Sequence, residues 1–545
     1  MILLASLAFA AFYNNALWRL LFGTAELSEV RTITQFVGLF IAVVCLQFAG
    51  LAVLLTRRTV RPVLALLFAC TALAAFFMDR YTIFLNAEML RSILKTDPAE
   101  AGELLTLQLV PHLLLYAVLP IALVMGTRIR VRPPGRALLV RSGAVAAALA
   151  VAVTVVAVQY RDVSSLLRSH REARHLVTPT NYLASLFSIS RDAFAAPPGS
   201  RQPIALDAHR TVQAAASRKP TLLVLVIGET VRSANFGLSG YERQTTPELS
   251  QLDLLVYPRV EACGTSTEVS LPCMFAPVGR RDYDEKRIHN EQSLLHVLQR
   301  VGISAAWIDN QAGCKGVCEG LPQERLGGDR DPVLCDGERC LDGILLPQLE
   351  SVVNSSAGDL VVVLHMLGNH GPAYSRRYPV EFRRFAPACE SADLAACSRE
   401  EIVNAYDNAV LYTDHVLADL VRYLGARTDR NAGLIYVSDH GESLGEAGIY
   451  LHGLPWRIAP AVQRQVPMLT WLSEGLRESA GLNWGCLQAG TDGDVRHDHL
   501  FHSVLGLLAV ETTTREPALD LFSRCRGRNV NPLTAQASRQ PAAAT

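Results

Sequence analysis

Three apolar runs in the second half of the chain end beside residues that can hold a cation or move a proton. TLLVLVI (221–227) leads into Gly228-Glu229-Thr230, LVVVLHM (360–366) towards Gly368-Asn369-His370-Gly371, and LIYVS (434–438) into Asp439-His440-Gly441-Glu442. One acid after one strand is commonplace. A carboxylate, a histidine and an Asp-His pair after three strands are the donor types that suit zinc or another divalent ion. Adjacent Asp439 and His440 would point apart within a strand. At a strand end followed by Gly441, the backbone can turn so that both reach one ion.

A fourth stretch, CGTSTEVSLPC (263–273), is rich in hydroxyls: Thr265, Ser266, Thr267 and Ser270 lie between Cys263 and Cys273. A hydroxyl is a weak nucleophile at its free pKa and needs a base or a metal. If Thr267 begins a helix, the positive helix N-terminus also favours phosphate there. The plainer reading is that these hydroxyls only make turns and N-caps. Both readings stand on spacing alone.

The elements that must position these residues are short. Strands are expected at 221–227, 303–308, 360–366 and 434–438, with helical stretches at about 291–300, 400–425 and 498–508. Continuous apolar strands belong in a parallel sheet covered on both faces. The soluble part therefore reads as α/β with a mainly parallel central sheet and its ligands at the carboxyl ends of the strands. His365 reads as a packed strand-end histidine, and Glu442 and Glu446 as either partners of the site or surface acids.

The chain has 545 residues, with 51 Lys+Arg balanced by 51 Asp+Glu. Zero net charge excludes a protein that coats a polyanion through overall charge, and no nucleic-acid partner is expected. Half of the residues are hydrophobic, which excludes a disordered chain. The apolar excess sits at the front, in runs at about 35–56, 62–78, 107–126 and 137–158, each near the roughly 20 residues that cross a bilayer as a helix. A fifth run, Ile2 to Phe22, holds Asn14, Asn15 and Arg19 and has no basic segment before it, so it reads as a membrane helix rather than a cleaved signal. Arg57, Arg58 and Arg61 fall in one connector and Arg128, Arg130, Arg132 and Arg136 in another. The positive-inside rule puts both in the cytoplasm, and five crossings put everything after residue 160 on the far side. The organisation expected is a membrane part (1–158, with an external loop at 79–106), a connector (159–218), a soluble domain (219–528) and a disordered tail (529–545).

Of twelve cysteines, Cys45 and Cys70 fall in membrane runs. Eight of the others form close pairs: Cys263 with Cys273, Cys314 with Cys318, Cys335 with Cys340, and Cys389 with Cys397. In an exported domain without a CxxC…CxxC arrangement these read as disulfides that pin local loops. Cys486 and Cys525 are left over, and their pairing stays open.

Six motifs in order carry a resemblance: ETVRSANFGLSGYERQTTPEL, CGTSTEVSLPCMF, GNHGPAY, AYDNAVLYTD, VSDHGESLGE and YLHGLP. Together they resemble the phosphoethanolamine transferases of Gram-negative envelopes. That family belongs to the sulfatase-like branch of the alkaline phosphatase superfamily and includes the colistin-resistance enzymes. The resemblance covers nearly the whole chain, including five membrane helices before a periplasmic domain.

The resemblance implies a monomeric, multi-pass inner-membrane enzyme. It would move phosphoethanolamine from phosphatidylethanolamine to a lipid A phosphate through a phospho-threonine, lowering envelope negative charge and sensitivity to polymyxin. It implies that Glu229, Thr267, Asp439 and His440 hold one zinc tightly, with Thr267 also the nucleophile. His370 and His452 match histidines near the substrate, which bind a second zinc or donate a proton. Lys315 matches a substrate contact, and Tyr81, Thr96 and Glu100 match donor-headgroup contacts. Ser92 and Ala312 depart from the pattern, standing where relatives carry Asn and Ser. Glu100 also fits a capping box, Asp97-Pro98-Ala99-Glu100. The rivals are transfer to another envelope glycan, a phosphoglycerol transferase and a non-catalytic membrane sensor. A sulfatase is disfavoured because Cys273 is followed by MFAPV and not by the expected Cys/Ser-x-Pro-x-Arg pattern.

Overall fold

The computed structural model describes residues 1–23, 30–96, 98–129, 133–160, 163, 166, 170–195, 201–211, 219–491 and 493–527. The tail expected at 529–545, parts of the 159–218 connector, Arg130, Arg132, Asp97 and the side chain of Glu100 lie outside the described residues. The chain forms two compact units, one of residues 1–199 with 443–459 and one of 200–442 with 460–545.

The first unit is helical: α1 (Ile2–Phe12), α2 (Asn15–Phe22), α3 (Val30–Leu54), α4 (Val60–Tyr81), α5 (Ala87–Lys95), α6 (Leu109–Gly126) and α7 (Pro134–Val158). Four of these, α3, α4, α6 and α7, are long and apolar enough to span a bilayer. The first apolar run differs from the single crossing expected, because it breaks at Tyr13–Asn14 into two shorter helices. Asn14 explains the break. It is fully buried, its Nδ2 donates to Phe9 O (2.7 Å) and Thr178 O (3.0 Å), and its Oδ1 accepts from Thr178 N (2.8 Å). An apolar medium leaves such a side chain no water to use instead. Opposite the break, α6 loosens to a π-helical turn over Leu114–Val118, where Tyr116 O accepts the Tyr13 hydroxyl at 2.6 Å.

Arg61 after α3 donates to Thr127 O after α6, and Arg141 in α7 donates to Leu55 O at the end of α3. The two arginine-bearing connectors therefore lie at the same end of the bundle. On α7, Leu138, Leu139, Val153 and Val158 are exposed, which suits contact with lipid chains. The strip 443–459 buries Leu454 and Ala459 against Leu17, Phe22 and Met78 of this unit.

The second unit is built on eight strands: β1 (Thr221–Gly228), β2 (Leu255–Glu261), β3 (Ser304–Asp309), β4 (Gln323–Arg325), β5 (Leu360–His365), β6 (Asn431–Ser438), β7 (Gln465–Leu472) and β8 (Val495–Arg496). Their order in the sheet is β8-β2-β7-β6-β1-β5-β3-β4. The run β6-β1-β5-β3-β4 is parallel, and β7 is antiparallel to both of its neighbours. Every residue of β5 and β6 is buried, as continuous apolar strands under two helical layers require. The fold class read from the sequence, a helical membrane part and a mainly parallel α/β domain, is the one found.

All four disulfides expected are formed: Cys263 with Cys273, Cys314 with Cys318, Cys335 with Cys340, and Cys389 with Cys397. Cys486 with Cys525 adds a fifth, which settles the pairing that the sequence left open. Cys340 is buried, and its carbonyl accepts from Asn310 Nδ2 at 2.9 Å, so the small loop that it closes with Cys335 is fastened to the end of β3.

Candidate active site

Strand register brings the polar residues together. Gly228 is level with Ser438, and Ile227 is level with both Val437 and His365, which is in turn level with Asp309. Four adjacent strands thus end on one line, and the residues just beyond them, Glu229 and Asp439-His440, emerge side by side. This is the edge at which parallel α/β sheets present their ligands.

Glu229, Asp439 and His440 are fully buried, and their donor atoms lie within 4.8 Å of one another. His440 Nε2 is 3.4 Å from Glu229 Oε1 and 3.3 Å from Asp439 Oδ2. The His440 Nδ1–H donates to Gly441 O at 2.9 Å, which fixes the tautomer and leaves Nε2 facing the carboxylates. Asp439 Oδ1 accepts from Thr230 N and His440 N, whereas Oδ2 accepts no hydrogen bond among the described residues. Thr267 completes the group, its Oγ1 being 3.0 and 3.2 Å from the two Glu229 oxygens and 3.4 Å from His440 Nε2.

The electrostatics call for a cation. Burial opposes charge on His440, yet Asp439 and Glu229 push it up to about 10. Burial and the charge of Glu229 raise Asp439. Burial also opposes charge on Glu229, but the hydrogen bond and charge of His440, with His370 and His365, hold it below the usual carboxylate range. Two carboxylates, one imidazole nitrogen and one hydroxyl with an unbonded, buried carboxylate oxygen among them form a donor set that fits zinc.

Thr267 is placed by its own loop. It is the first residue of α8 (Thr267–Met274), with Ser266 as the N-cap, and the Cys263–Cys273 disulfide closes the loop around it. Gly264 N donates to Ser270 Oγ at 2.9 Å, and a Cβ on Gly264 would press on Val269. Ser270 thus serves the turn, and Thr267 faces the acid cluster.

Three further residues support the group. Thr230 stands at φ 63°, in the left-handed region that β-branched residues avoid, and its Oγ1 donates to Glu229 Oε1 at 2.7 Å. His497 accepts from Cys263 N at Nδ1 (3.1 Å) and donates from Nε2 to Ser438 O (2.9 Å), tying the Thr267 loop to the end of β6. Gly441 is needed for room, since a Cβ there would collide with Val462 O. His497 carries no local sequence signal because its partners are distant in the chain, and the left-handed backbone of Thr230 shows only once the chain is folded.

His370 is buried just beyond β5, and its carbonyl accepts from Arg377 Nε at 2.6 Å. Lys315 is half-buried, and its Nζ donates to Ala312 O at 3.1 Å in the loop closed by Cys314–Cys318. Tyr81 (buried), Ser92 and Thr96 (half-buried) belong to the first unit, where Thr96 Oγ1 donates to Ser92 O at 2.7 Å. His452 is half-buried on the 443–459 strip, also in the first unit.

The family model described as Sulfatase matches residues 221–510, and the one described as Phosphoethanolamine transferase EptA/EptB matches residues 43–194. Phosphoethanolamine transferase EptA of Escherichia coli strain K12 is 35% identical over 541 residues, covering 96% of this chain and 97% of that protein. The chain belongs to the phosphoethanolamine transferases. This transferase is also 33% identical to Phosphatidylethanolamine transferase Mcr-1 of Escherichia coli over 501 residues, 89% of the chain and 91% of that protein. Its fold matches the integral membrane lipooligosaccharide phosphoethanolamine transferase A of Neisseria meningitidis, with a TM-score of 0.93 at 32% identity over 97% of this chain and 98% of that one.

Proposed function

We propose that the protein transfers phosphoethanolamine from phosphatidylethanolamine to a phosphate of lipid A, with Thr267 as the nucleophile. The observation that carries this is Thr267 Oγ1 at 3.0 and 3.2 Å from the Glu229 carboxylate and 3.4 Å from His440 Nε2. A threonine so placed does not serve only as a cap. Family membership supports the transferred group, and the lipooligosaccharide named for the Neisseria relative supports an acceptor built on lipid A.

Glu229, Asp439, His440 and Thr267 would hold zinc, which when bound supplies the positive charge that favours the threonine alkoxide and offsets charge on the phosphoryl group. Thr267 Oγ1 attacks phosphorus, its bond to phosphorus forms, and the bond to the diacylglycerol oxygen breaks. His370 or His452 gives that oxygen a proton, so diacylglycerol leaves and phosphoethanolamine stays on Thr267. A lipid A phosphate oxygen then attacks the same phosphorus and the bond to Oγ1 breaks. The histidine, restored by the acceptor's proton, is ready for the next cycle. Lys315 is the residue of the soluble domain that we assign to the donor headgroup. Phosphoryl transfer asks mainly for such positioning and charge neutralisation. The added ammonium offsets negative charge on lipid A and weakens the binding of cationic peptides such as polymyxin.

We place the helices in the inner membrane and the soluble domain in the periplasm. The arginine-bearing connectors support this orientation, and five disulfides in the soluble domain support an oxidising compartment.

Incubation with labelled phosphatidylethanolamine and peptide mass analysis tests the reading. A phosphoethanolamine increment is expected on the Thr267 peptide and not in Thr267→Ala. Lipid A from cells expressing Thr267→Ala should lack the group, and modified lipid A from that variant would refute the mechanism.

A further inference from the structure

A buried pair that this chemistry does not use lies behind Glu229. Asp309 ends β3 and His365 ends β5, level with each other in neighbouring strands. His365 is fully buried, and its Nδ1 is 2.9 Å from Asp309 Oδ2, which also accepts from Trp307 Nε1 at 2.8 Å. The other ring nitrogen, Nε2, makes no hydrogen bond among the described residues and faces Glu229 Oε2 at 3.9 Å. A buried polar atom left without a partner is costly, and the group this one points at is the carboxylate of the candidate metal site.

Asp309 does a second job with its other oxygen. Its Oδ1 accepts from Gln311 N at 3.0 Å and Gly313 N at 2.9 Å, the start of the loop that carries Lys315. Lys315 itself stands at φ 49°, so the loop is held in a conformation that a lysine does not favour alone. Asn310 extends the tie: its N–H donates to His365 O at 2.9 Å and its Nδ2 to Asp342 Oδ1 at 2.8 Å. Asp342 in turn accepts from Leu367 N and Gly368 N, both at 2.8 Å, just ahead of His370.

We propose that Asp309 and His365 form a positioning pair, in which His365 braces the Glu229 carboxylate and Asp309 anchors both that brace and the Lys315 loop. The inference rests on the reading of Glu229 as a metal ligand and Lys315 as a headgroup contact. Neither member touches the reacting atoms. One buried carboxylate thereby ties the metal side of the site to its lipid side.

The test uses the full-length protein in detergent, with His365→Gln and Asp309→Asn compared for zinc dissociation constant, KM for phosphatidylethanolamine, kcat and melting temperature. Partners behind a metal ligand typically contribute about tenfold or more in affinity. His365→Gln is expected to weaken zinc binding about tenfold while KM changes less than about twofold. Asp309→Asn is expected to weaken zinc binding and also raise KM several-fold. Zinc affinity in His365→Gln within about twofold of the parent overturns the proposal. So does a uniform loss of every property in step with melting temperature, the mark of mere packing. If the variants do not fold, a crystal structure of the parent with zinc decides. His365 Nε2 within hydrogen-bond distance of a Glu229 oxygen is the expected result, and a ring turned away from Glu229 overturns it. Thr267→Ala run alongside separates the two levels. If it still modifies lipid A, the reading of the site fails; if it is inactive while His365→Gln binds zinc like the parent, only the brace fails.

Discussion

Gly441 and His497 show how single positions keep the acid cluster assembled. Any side chain at 441 drives into the carbonyl of Val462, which is backbone and cannot swing aside. Gly441→Ala should therefore displace Asp439 and His440, lower stability by about 1–3 kcal/mol and reduce bound zinc in a metal assay of the purified protein. His497 gives a pH dependence of known sign. Burial pushes it down to about 4, against an ordinary value near 6.5. Above pH 6.5 the imidazole is neutral in folded and unfolded chains alike, so its contribution to stability is complete. As pH falls from 6.5 towards 4, the unfolded chain takes up a proton that the folded one refuses, and stability declines by up to about 1.4 kcal/mol per pH unit. Melting curves across that window should show the decline, and His497→Gln should flatten it. The candidate donors Glu229, Asp439 and His440 could be picked out beforehand because they follow strand ends, and Thr267 because it sits in a recognisable motif. His497 and the Asp309–His365 pair were not, since what defines them is a partner 234 or 56 residues away, and Thr230 was not, since its strained backbone is a product of the fold.

At the scale of elements, what sequence patterns conveyed depended on whether a run was uninterrupted. The four strands read in advance are continuous apolar runs, and all four are found near their expected limits. β2 and β7 escaped notice because each contains a proline, Pro258 and Pro467, the residue that demotes a run from central strand. The structure accommodates both by a register shift: Val466 pairs with Val260 but Met468 pairs with Tyr257, so the prolines fall at the irregularity. The same lesson holds for the first apolar run, where Asn14 interrupts the helix and bonds to Thr178. Asn14→Leu would fit the hydropathy of a crossing yet strand the polar groups of Thr178 and Phe9. It should lower stability in detergent by about 1–3 kcal/mol, read as an earlier thermal transition.

For the molecule as a whole, composition and arginine placement conveyed the membrane part, and cysteine spacing conveyed the local disulfides. Cys486–Cys525 stayed open because its partners are 39 residues apart, beyond what proximity in sequence can pair. That separation also makes it the most stabilising bridge on loop-entropy grounds, worth about 4 kcal/mol against about 2.5 for the eight-residue Cys389–Cys397 loop. Replacing Cys486 and Cys525 by alanine should lower the melting temperature more than the same change at Cys389 and Cys397.

The chain changes compact unit three times, after residues 199, 442 and 459. Hybrids between related transferases would therefore need more than one splice. Exchanging the front half alone leaves 443–459 inherited from the wrong parent, with Leu454 and Ala459 facing foreign helices. Moving that strip together with the front half restores a matched surface, so shuffling among these enzymes should succeed when two non-adjacent segments travel as one inheritance.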